Sequence, residues 1–320
     1  MRALACAVAA LPVLIPPAAH AQGYPSRPVR FIVPFAAGGS ADIVARVLAP
    51  KLGEQLGQQI VIDNRPGASA IIGVEAGAKA PPDGYTVTLG GFSSHVLNAF
   101  LFPKLPYDPL GSFVAITVLT RIPNVLSVHP SVPARSVKEL VALARAHPGE
   151  LTYASSGSGS SQHLSGVLLQ KLAGIKLTHV PYRSGAPAIT DLLGGHVATM
   201  FATMPAAIPH IRSGRLQALG VTAAQRSPAL PAVPAIAETV KGYDIATYYS
   251  AHVPAGTSKD IVARLYAAFA KVLLAPDIKE RLAADGAEVV ANTPDEFAAQ
   301  LKAELASWGP IIRESGVRAE

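Results

Sequence analysis

The most constraining feature of this sequence is a regular alternation between short β-rich runs and helical patterns. Strands are predicted at residues 29–33, 60–62 and 85–89, with helical patterns between them at 41–56 and 70–78. The same alternation returns between residues 136 and 221. Because a strand–helix–strand unit lays its two strands side by side in parallel, the sequence predicts an α/β protein whose mainly parallel sheets are flanked by helices.

The chain has 320 residues, half of them hydrophobic, which is enough for two domains of ordinary size. A β-rich passage at residues 114–128 is long enough to run from one domain into the other. We predict a discontinuous first domain of residues 22–117 and 222–320, with residues 118–221 forming the second. The part after residue 234 is predicted to be mostly helical.

The first 21 residues have the pattern of a signal peptide that is cleaved near Ala21. Arg2 is followed by an alanine-rich apolar run, and the run ends in a small-x-small site. A buried core helix is the alternative, but three prolines interrupt the segment. Because Cys6 lies inside it, the exported chain has no cysteine and depends on its core for stability. The predicted location is the periplasm.

Charge and hydropathy exclude several classes of partner. Lysine and arginine number 27 against 21 acidic residues, giving a formal net charge of +6, but the basic residues are scattered rather than clustered. Nucleic acid is therefore not an expected partner, while small anions are mildly favoured. Beyond the signal segment, no stretch is long and uncharged enough to cross a membrane.

A small-residue loop between the first predicted strand and helix is a candidate ligand-binding loop. The strand breaks at Pro34, and the helical pattern begins with Ser40 or Asp42 as its expected N-cap. Gly38 and Gly39 allow a tight turn, so that amide groups at the helix start can point at an anion. Many glycine-containing loops serve only as connections, which is the alternative interpretation.

A second loop, residues 155–163, has a matching composition and is called the serine loop below. It holds five serines and two glycines without a charge, between a predicted strand and helix. Such hydroxyl and amide donors suit carboxylate or phosphate oxygens; a flexible linker is the alternative. Ser93 follows the third strand at the same sheet edge and is a candidate donor, with a simple strand-to-helix cap as the alternative.

Seven segments, in the same order, resemble the tripartite tricarboxylate transporter substrate-binding proteins, the Bug or TctC family. They lie at residues 24–42, 64–73, 80–86, 153–164, 179–197, 208–222 and 253–257. The resemblance implies a two-domain, type II-like periplasmic-binding-protein fold with a ligand cleft between the domains. It implies capture of a small carboxylate, whether an organic acid, an acidic amino acid or an aromatic carboxylate, and delivery to membrane permease subunits. We expect a monomer without a cofactor or metal.

Matching positions in the family motifs nominate ligand-binding residues. They are Phe35, Ala36, Gly38, Gly39, Ser40 and Asp42 in the first domain, and Ser155, Gly157, Ser160, Ser161, His163, Tyr182, Arg183 and Asp191 in the second. Asp42 could instead cap its helix. His163 could donate to ligand or lock the serine loop. Arg183 could pair a second carboxylate or form a surface ion pair.

Two alternatives to a transport protein stay open on the sequence. One is a sensor-type binding protein that passes ligand occupancy to a signalling partner. The other is a hydrolase, but no Gly-x-Ser-x-Gly or phosphate-loop signature is present, and the nine histidines lack metal-ligand spacing. No catalytic residue is therefore assigned. Ala202 and Thr203 stand where family members often carry an acidic residue and an asparagine, which leaves the identity of the ligand open.

Overall fold

The computed structural model describes residues 23–284, 286–315 and 317. The predicted signal peptide, residues 1–21, lies outside this part of the chain. Within it, no helix combines the length and apolar character that crossing a bilayer requires.

The strands of the described chain form one continuous mixed sheet. They are β1 (Val29–Val33), β2 (Ile60–Asn64), β3 (Thr86–Gly91), β4 (Phe113–Val128), β5 (Thr152–Ser155), β6 (Thr178–Pro181), β7 (Thr199–Thr203), β8 (Gln217–Val221), β9 (Ala246–Pro254) and β10 (Glu288–Val289). The strand order is β2-β1-β3-β9-β4-β7-β5-β6, with β8 and β10 also paired to β4.

Helices connect these strands on both faces of the sheet. They are α1 (Ser40–Leu56), α2 (Ile71–Ala78), α3 (Asn98–Leu101), α4 (Val137–Ala146), α5 (Ser161–Ala173), α6 (Gly185–Leu193), α7 (Met204–Arg212), α8 (Lys259–Leu273), α9 (Pro276–Ala284) and α10 (Pro294–Ser315). Short π-helical and 3₁₀ turns occur at Ser93–Leu97 and Ile236–Glu238. Helices α1 and α5 end at glycines in the left-handed conformation, Gly57 and Gly174, which lack the Cβ that disfavours it.

The long strand β4 divides the sheet into two lobes. Its residues Phe113–Pro123 pair with β9 in the first lobe, together with β1, β2, β3 and β10. Its residues Asn124–Val128 pair with β7 and β8 in the second lobe, together with β5 and β6. Strand pairs β1/β2, β1/β3, β5/β6 and β5/β7 are parallel, whereas β3, β4, β7 and β8 have antiparallel partners. The predicted domain limits at 118 and 221 stay a prediction.

Two chain segments cross between the lobes side by side. The Asn124 amide donates to the Thr222 hydroxyl at 2.8 Å, and the Thr222 amide donates to the Asn124 carbonyl at 2.9 Å. The Thr222 carbonyl in turn accepts from the Ile245 amide at 3.0 Å, just before β9 begins. The crossing segments are therefore held together by backbone and hydroxyl groups that are buried from water.

Apolar clusters stabilise the lobes and also join them. In the first, Phe31 of β1 meets Phe269 of α8 edge to face at 6.0 Å, with Leu48 of α1 beside them. A second cluster joins residues of both lobes, because Phe297 and Trp308 of α10 pack in the same core as Leu164 of α5. The C-terminal helix thus closes one side of the molecule.

Three details of the sequence prediction are wrong. The part after residue 234 does contain α8, α9 and α10, but the prediction missed β9, which lies near the centre of the sheet, between β3 and β4. Helix α1 is capped by Gly39, with no side-chain cap, rather than by Ser40 or Asp42. The third strand runs on to Gly91, two residues beyond its predicted end, and Ser93 begins the π-helical turn that follows.

Candidate functional site

Helix N-termini from both lobes meet at the cleft between them. Helices α1 and α7 begin at Ser40 and Met204 without a side-chain cap, and α5 begins at Ser161. The first amides of a helix have no acceptor within their own helix and carry partial positive charge. The Ser161 hydroxyl accepts from the side-chain Nδ2 of Asn124 at 3.4 Å, and Asn124 lines the same cavity as Ser40 and Thr203, the residue before Met204. The cleft is therefore favourable for an anion.

The carboxylate of Asp42 holds the first loop, residues 34–39, in place. The carboxylate is almost fully buried, with 2% exposure, and it accepts from the Gly38 amide and from Arg46 Nε, each at 2.8 Å. Its other oxygen accepts from Asn64 Nδ2 at 2.9 Å, and the same amide group donates to the Phe35 carbonyl. The Arg46 hydrogen bond is the main reason that the pKa of Asp42 is lowered to about 2. The structure thus gives Asp42 the task of holding the loop.

The loop and the start of α1 also carry exposed small residues, of which Ser40 lines the cleft cavity. Ala36, Gly38, Gly39 and Ser40 are all exposed, and Gly38 has a φ of +82° that favours glycine. The Ser40 hydroxyl shares a hydrogen bond of 2.6 Å with the Tyr249 hydroxyl. These two groups are held in contact, so both can interact with one ligand atom.

Two aromatic rings support the same corner of the cleft. The Phe35 ring meets the Tyr249 ring edge to face at 6.2 Å. Gly91, at the end of β3, lies opposite Tyr249 in the register of β3 and β9. Ser93 lies two residues after Gly91 and is half-buried. Its hydroxyl has no hydrogen-bond partner among the described residues.

Hydrogen bonds within the serine loop occupy several of its donors. The Ser155 hydroxyl is fully buried, donates to the Gly157 carbonyl at 3.1 Å and shares a 2.7 Å hydrogen bond with His179 Nε2. The Gly157 amide donates back to the Ser155 hydroxyl at 3.2 Å. Gly157 has a φ of +124°, which L side chains rarely adopt. Ser155 and Gly157 therefore shape the loop from inside it.

His163 also locks this loop, which was one of its two predicted roles. Its Nδ1 accepts from the Gly159 amide at 3.1 Å, while the Ser160 hydroxyl accepts from the His163 amide as the N-cap of α5. The ring stacks on His179 at 3.8 Å with planes only 6° apart. Burial, and then the His179 ring, lower the pKa of His163 to about 4, so the imidazole is neutral at physiological pH.

The remaining predicted residues follow β6: Tyr182 and Arg183 lie in the loop after it, and Asp191 lies in helix α6. The Tyr182 hydroxyl donates to the Asp191 carboxylate at 2.6 Å, and burial together with this carboxylate raises the pKa of Tyr182 to about 12. Asp191 is therefore engaged with a neighbouring side chain. Arg183 is exposed and has no ion-pair partner in the described parts of the chain.

A cavity of about 350 Å³ lies between the lobes and is lined by residues of both. Its hydroxyl and amide groups come from Ser40, Asn124, Thr203, Thr247 and Tyr249, and its apolar wall from Ile43, Val44, Ile122, Pro205, Ala206, Leu282 and Ala287. No charged side chain belongs to this lining, as far as the described residues go. The cavity therefore offers neutral donors beside an apolar wall.

Most of this lining was absent from the sequence prediction. Ser40 was the only nominated residue among it, and Thr203 was noted only as a departure from the family pattern. Asn124 could have been suspected, because asparagine is uncommon inside a strand and here follows Pro123 in a β-rich run. Tyr249 was missed together with its strand. The described residues also contain no group of three or more His, Cys, Asp or Glu placed to hold a metal.

Comparison with known proteins assigns the family. The family model for the "Tripartite tricarboxylate transporter family receptor" matches residues 44–317. The chain belongs to this family. Protein BugT from Bordetella pertussis is 38% identical over 300 residues, covering 93% of this chain and 92% of that protein.

Solved structures of similar sequence share the fold. One, a Rhodopseudomonas palustris protein with adipate, has a TM-score of 0.77 and 38% identity, covering 92% of this chain and 99% of that one. MatC of the same organism, with bound malate, has a TM-score of 0.72 and 32% identity, covering 90% and all of the respective chains. The predicted α/β binding-protein fold is confirmed. As a family member, the chain is a substrate-binding protein of the periplasmic TctC type rather than an enzyme.

Proposed function

We propose that this protein captures a small organic carboxylate between its lobes and delivers it to the membrane subunits of a tripartite tricarboxylate-type transporter. The observation that carries the proposal is that the N-termini of α1 and α7 line the cleft cavity with its hydroxyl and amide groups, while the start of α5 is hydrogen-bonded to Asn124 of the same lining. Anions are stabilised at helix N-termini by the free amides and by the helix dipole. The chemistry of the cleft fits one carboxylate group.

The setting of the protein supports the delivery step. The sequence-predicted signal peptide, cleaved near Ala21, implies export to the periplasm. Two structural relatives carry adipate and malate, both small carboxylates. We expect a monomeric carrier that closes around its ligand by a hinge movement at the lobe crossing.

Titration calorimetry of the purified protein against organic acids and their neutral amides tests the binding step. Ser40→Ala should weaken binding of the best acid by about 1–2 kcal/mol, because it removes one hydroxyl donor from the cleft. Ser213→Ala is the matched control, since Ser213 is exposed and hydrogen-bonds only within its own helix end. Heat with the neutral amides alone, or turnover of any acid, would contradict the proposal.

The delivery step has its own test. Deleting the gene should abolish uptake of the acid that the purified protein binds, and a plasmid copy should restore it. Normal uptake in the deletion strain, despite tight binding by the protein, would favour a role in signalling instead.

A further inference from the structure

The cleft cavity has a polar side and an apolar side, and this division bears on the ligand. The polar side includes Asn124 and Thr203, which are in register on β4 and β7, and the hydrogen-bonded hydroxyl pair of Ser40 and Tyr249. The apolar side lies between α1 and α9, where Ile43 and Leu282 line the cavity. Polar and apolar parts of one ligand would therefore face different walls.

Ile43 makes the apolar side accessible to a ligand. It lies in the first turn of α1, three residues after Ser40, and leaves 36% of its surface exposed. Large apolar side chains that are exposed inside a cleft are typical of ligand-binding surfaces, because a bound apolar group removes them from water. The carbon skeleton of a ligand anchored near Ser40 would reach Ile43 next.

Among the described residues, no cationic side chain lines the cavity to receive a second charge on that side. In the neighbouring groove, Arg226 pairs with Glu238, and Arg121 pairs with Asp244. Lys279 also faces that groove and does not line the cleft cavity. Arg183 lies on the exposed loop after β6, outside the lining.

An apolar wall disfavours the binding of a second charged group for a simple physical reason. A carboxylate that leaves water without a cation or hydrogen-bond donors loses most of its hydration energy. The same position gives a methyl or methylene group favourable contact. The second carboxylate of a dicarboxylate, or the ammonium of an amino acid, would meet Ile43 and Leu282.

We propose that this protein selects monocarboxylates with an apolar body over dicarboxylates and acidic amino acids. The inference rests on the proposed function, because it assumes that one carboxylate is held at the polar side of the cavity. It adds that Ile43, with the adjoining apolar wall, determines which carboxylates bind.

Matched ligand pairs test the inference by calorimetry. Hexanoate and adipate have the same number of carbons, with a methyl group in one where the other has a carboxylate, as do butanoate and succinate, and 4-methylbenzoate and terephthalate. In the pair that gives the tightest binding, the monocarboxylate should bind at least about tenfold more tightly than its partner. Hexanamide, in which the anchoring charge is removed, should bind far more weakly than hexanoate.

A charged variant tests where the selection occurs. Ile43→Lys places an ammonium group on the apolar side and should raise the affinity for adipate relative to hexanoate by about tenfold. Ile72→Lys is the matched control, because Ile72 is 52% exposed on α2 and lies outside the cavity lining. The control should leave the affinity ratio unchanged.

The outcomes distinguish failure of the selectivity inference from failure of the proposed function. If a dicarboxylate binds as tightly as its monocarboxylate partner, or if Ile43→Lys leaves the ratio unchanged, the selectivity inference is wrong while the carboxylate site stands. If hexanamide binds as well as hexanoate, or if no acid of the three pairs binds, the proposed function itself is wrong and the inference fails with it.

Discussion

Replacing Asp42 by asparagine should destabilise the protein through the first loop. The carboxylate accepts three hydrogen bonds, from Gly38, Arg46 and Asn64, on its two oxygens. An asparagine side chain keeps one acceptor oxygen and turns an NH₂ group toward one of these donors. A buried donor would then face another donor, and the charge that attracts Arg46 would be gone.

The size of the effect follows from the pKa of Asp42, which is lowered to about 2. Because the folded state holds the proton less tightly than the unfolded chain does, the charged form contributes about 2 kcal/mol of stability at neutral pH. The usual cost of one unpaired buried donor, about 1–3 kcal/mol, describes the same interaction and agrees with this figure. The stabilisation is complete above about pH 4 and is lost as the pH falls through about 2.

Urea unfolding of the wild type and the Asp42→Asn variant measures this difference. At pH 7 the variant should be less stable by about 2 kcal/mol, and near pH 3 the gap should shrink to about half. Asp277→Asn is the control, since it breaks an ion pair between exposed side chains and should leave the midpoint unchanged. A gap that stays the same at both pH values would refute the assignment of the effect to the Asp42 charge.

Two further predictions concern the serine loop and the first loop. His163→Asn keeps an acceptor for the Gly159 amide but cannot be protonated. Since burial lowers the pKa of His163 to about 4, wild-type stability should fall as the pH drops from about 6.5 toward 4, and urea midpoints at pH 7 and pH 5 should show a smaller fall in the variant. Gly73→Ala should lower the melting temperature despite the helix preference of alanine, because the new Cβ would lie 2.7 Å from both the Pro34 Cα and the Arg65 carbonyl oxygen; an unchanged melting temperature would show that α2 can shift away.

Amphipathic and β-rich patterns were enough to predict most of the fold. Helix α1 and strand β1 were placed correctly to within a residue or two, because the buried positions of α1 recur at helical spacing and β1 is a short apolar run that ends before Pro34. Helix α4 likewise begins at a local signal, since its N-cap Ser136 accepts from the Glu139 amide. Local physics decides these elements, so local sequence is sufficient.

Strand β9 was missed because nearly all of its residues are buried. A strand covered on both faces loses the alternation of apolar and polar side chains that identifies strands at a sheet surface. Its alanines and histidine also weaken the β-rich signal. Missing this strand also meant missing part of the site, since Tyr249 of β9 contacts both Phe35 and Ser40.

The two loops were recognised by composition, but the roles of their side chains were not. A serine-rich loop suggests many donors for a ligand. The Ser155 hydroxyl, however, is hydrogen-bonded to His179, which lies on the neighbouring strand β6. Similarly, the Asp42 carboxylate is engaged with Asn64, which ends β2. Such partners become neighbours only through strand pairing, and spacing along the chain does not reveal them.

Asn124 combines two positions that are usually separate in a protein. Its backbone carries the chain from one lobe to the other and is bonded to the second crossing segment at Thr222, while the residue itself lines the cavity. A force applied to its side chain therefore acts at the axis about which the lobes would turn, with no intervening residue. Under the proposed hinge movement, occupancy of the cavity and the angle between the lobes would therefore be coupled through this one residue.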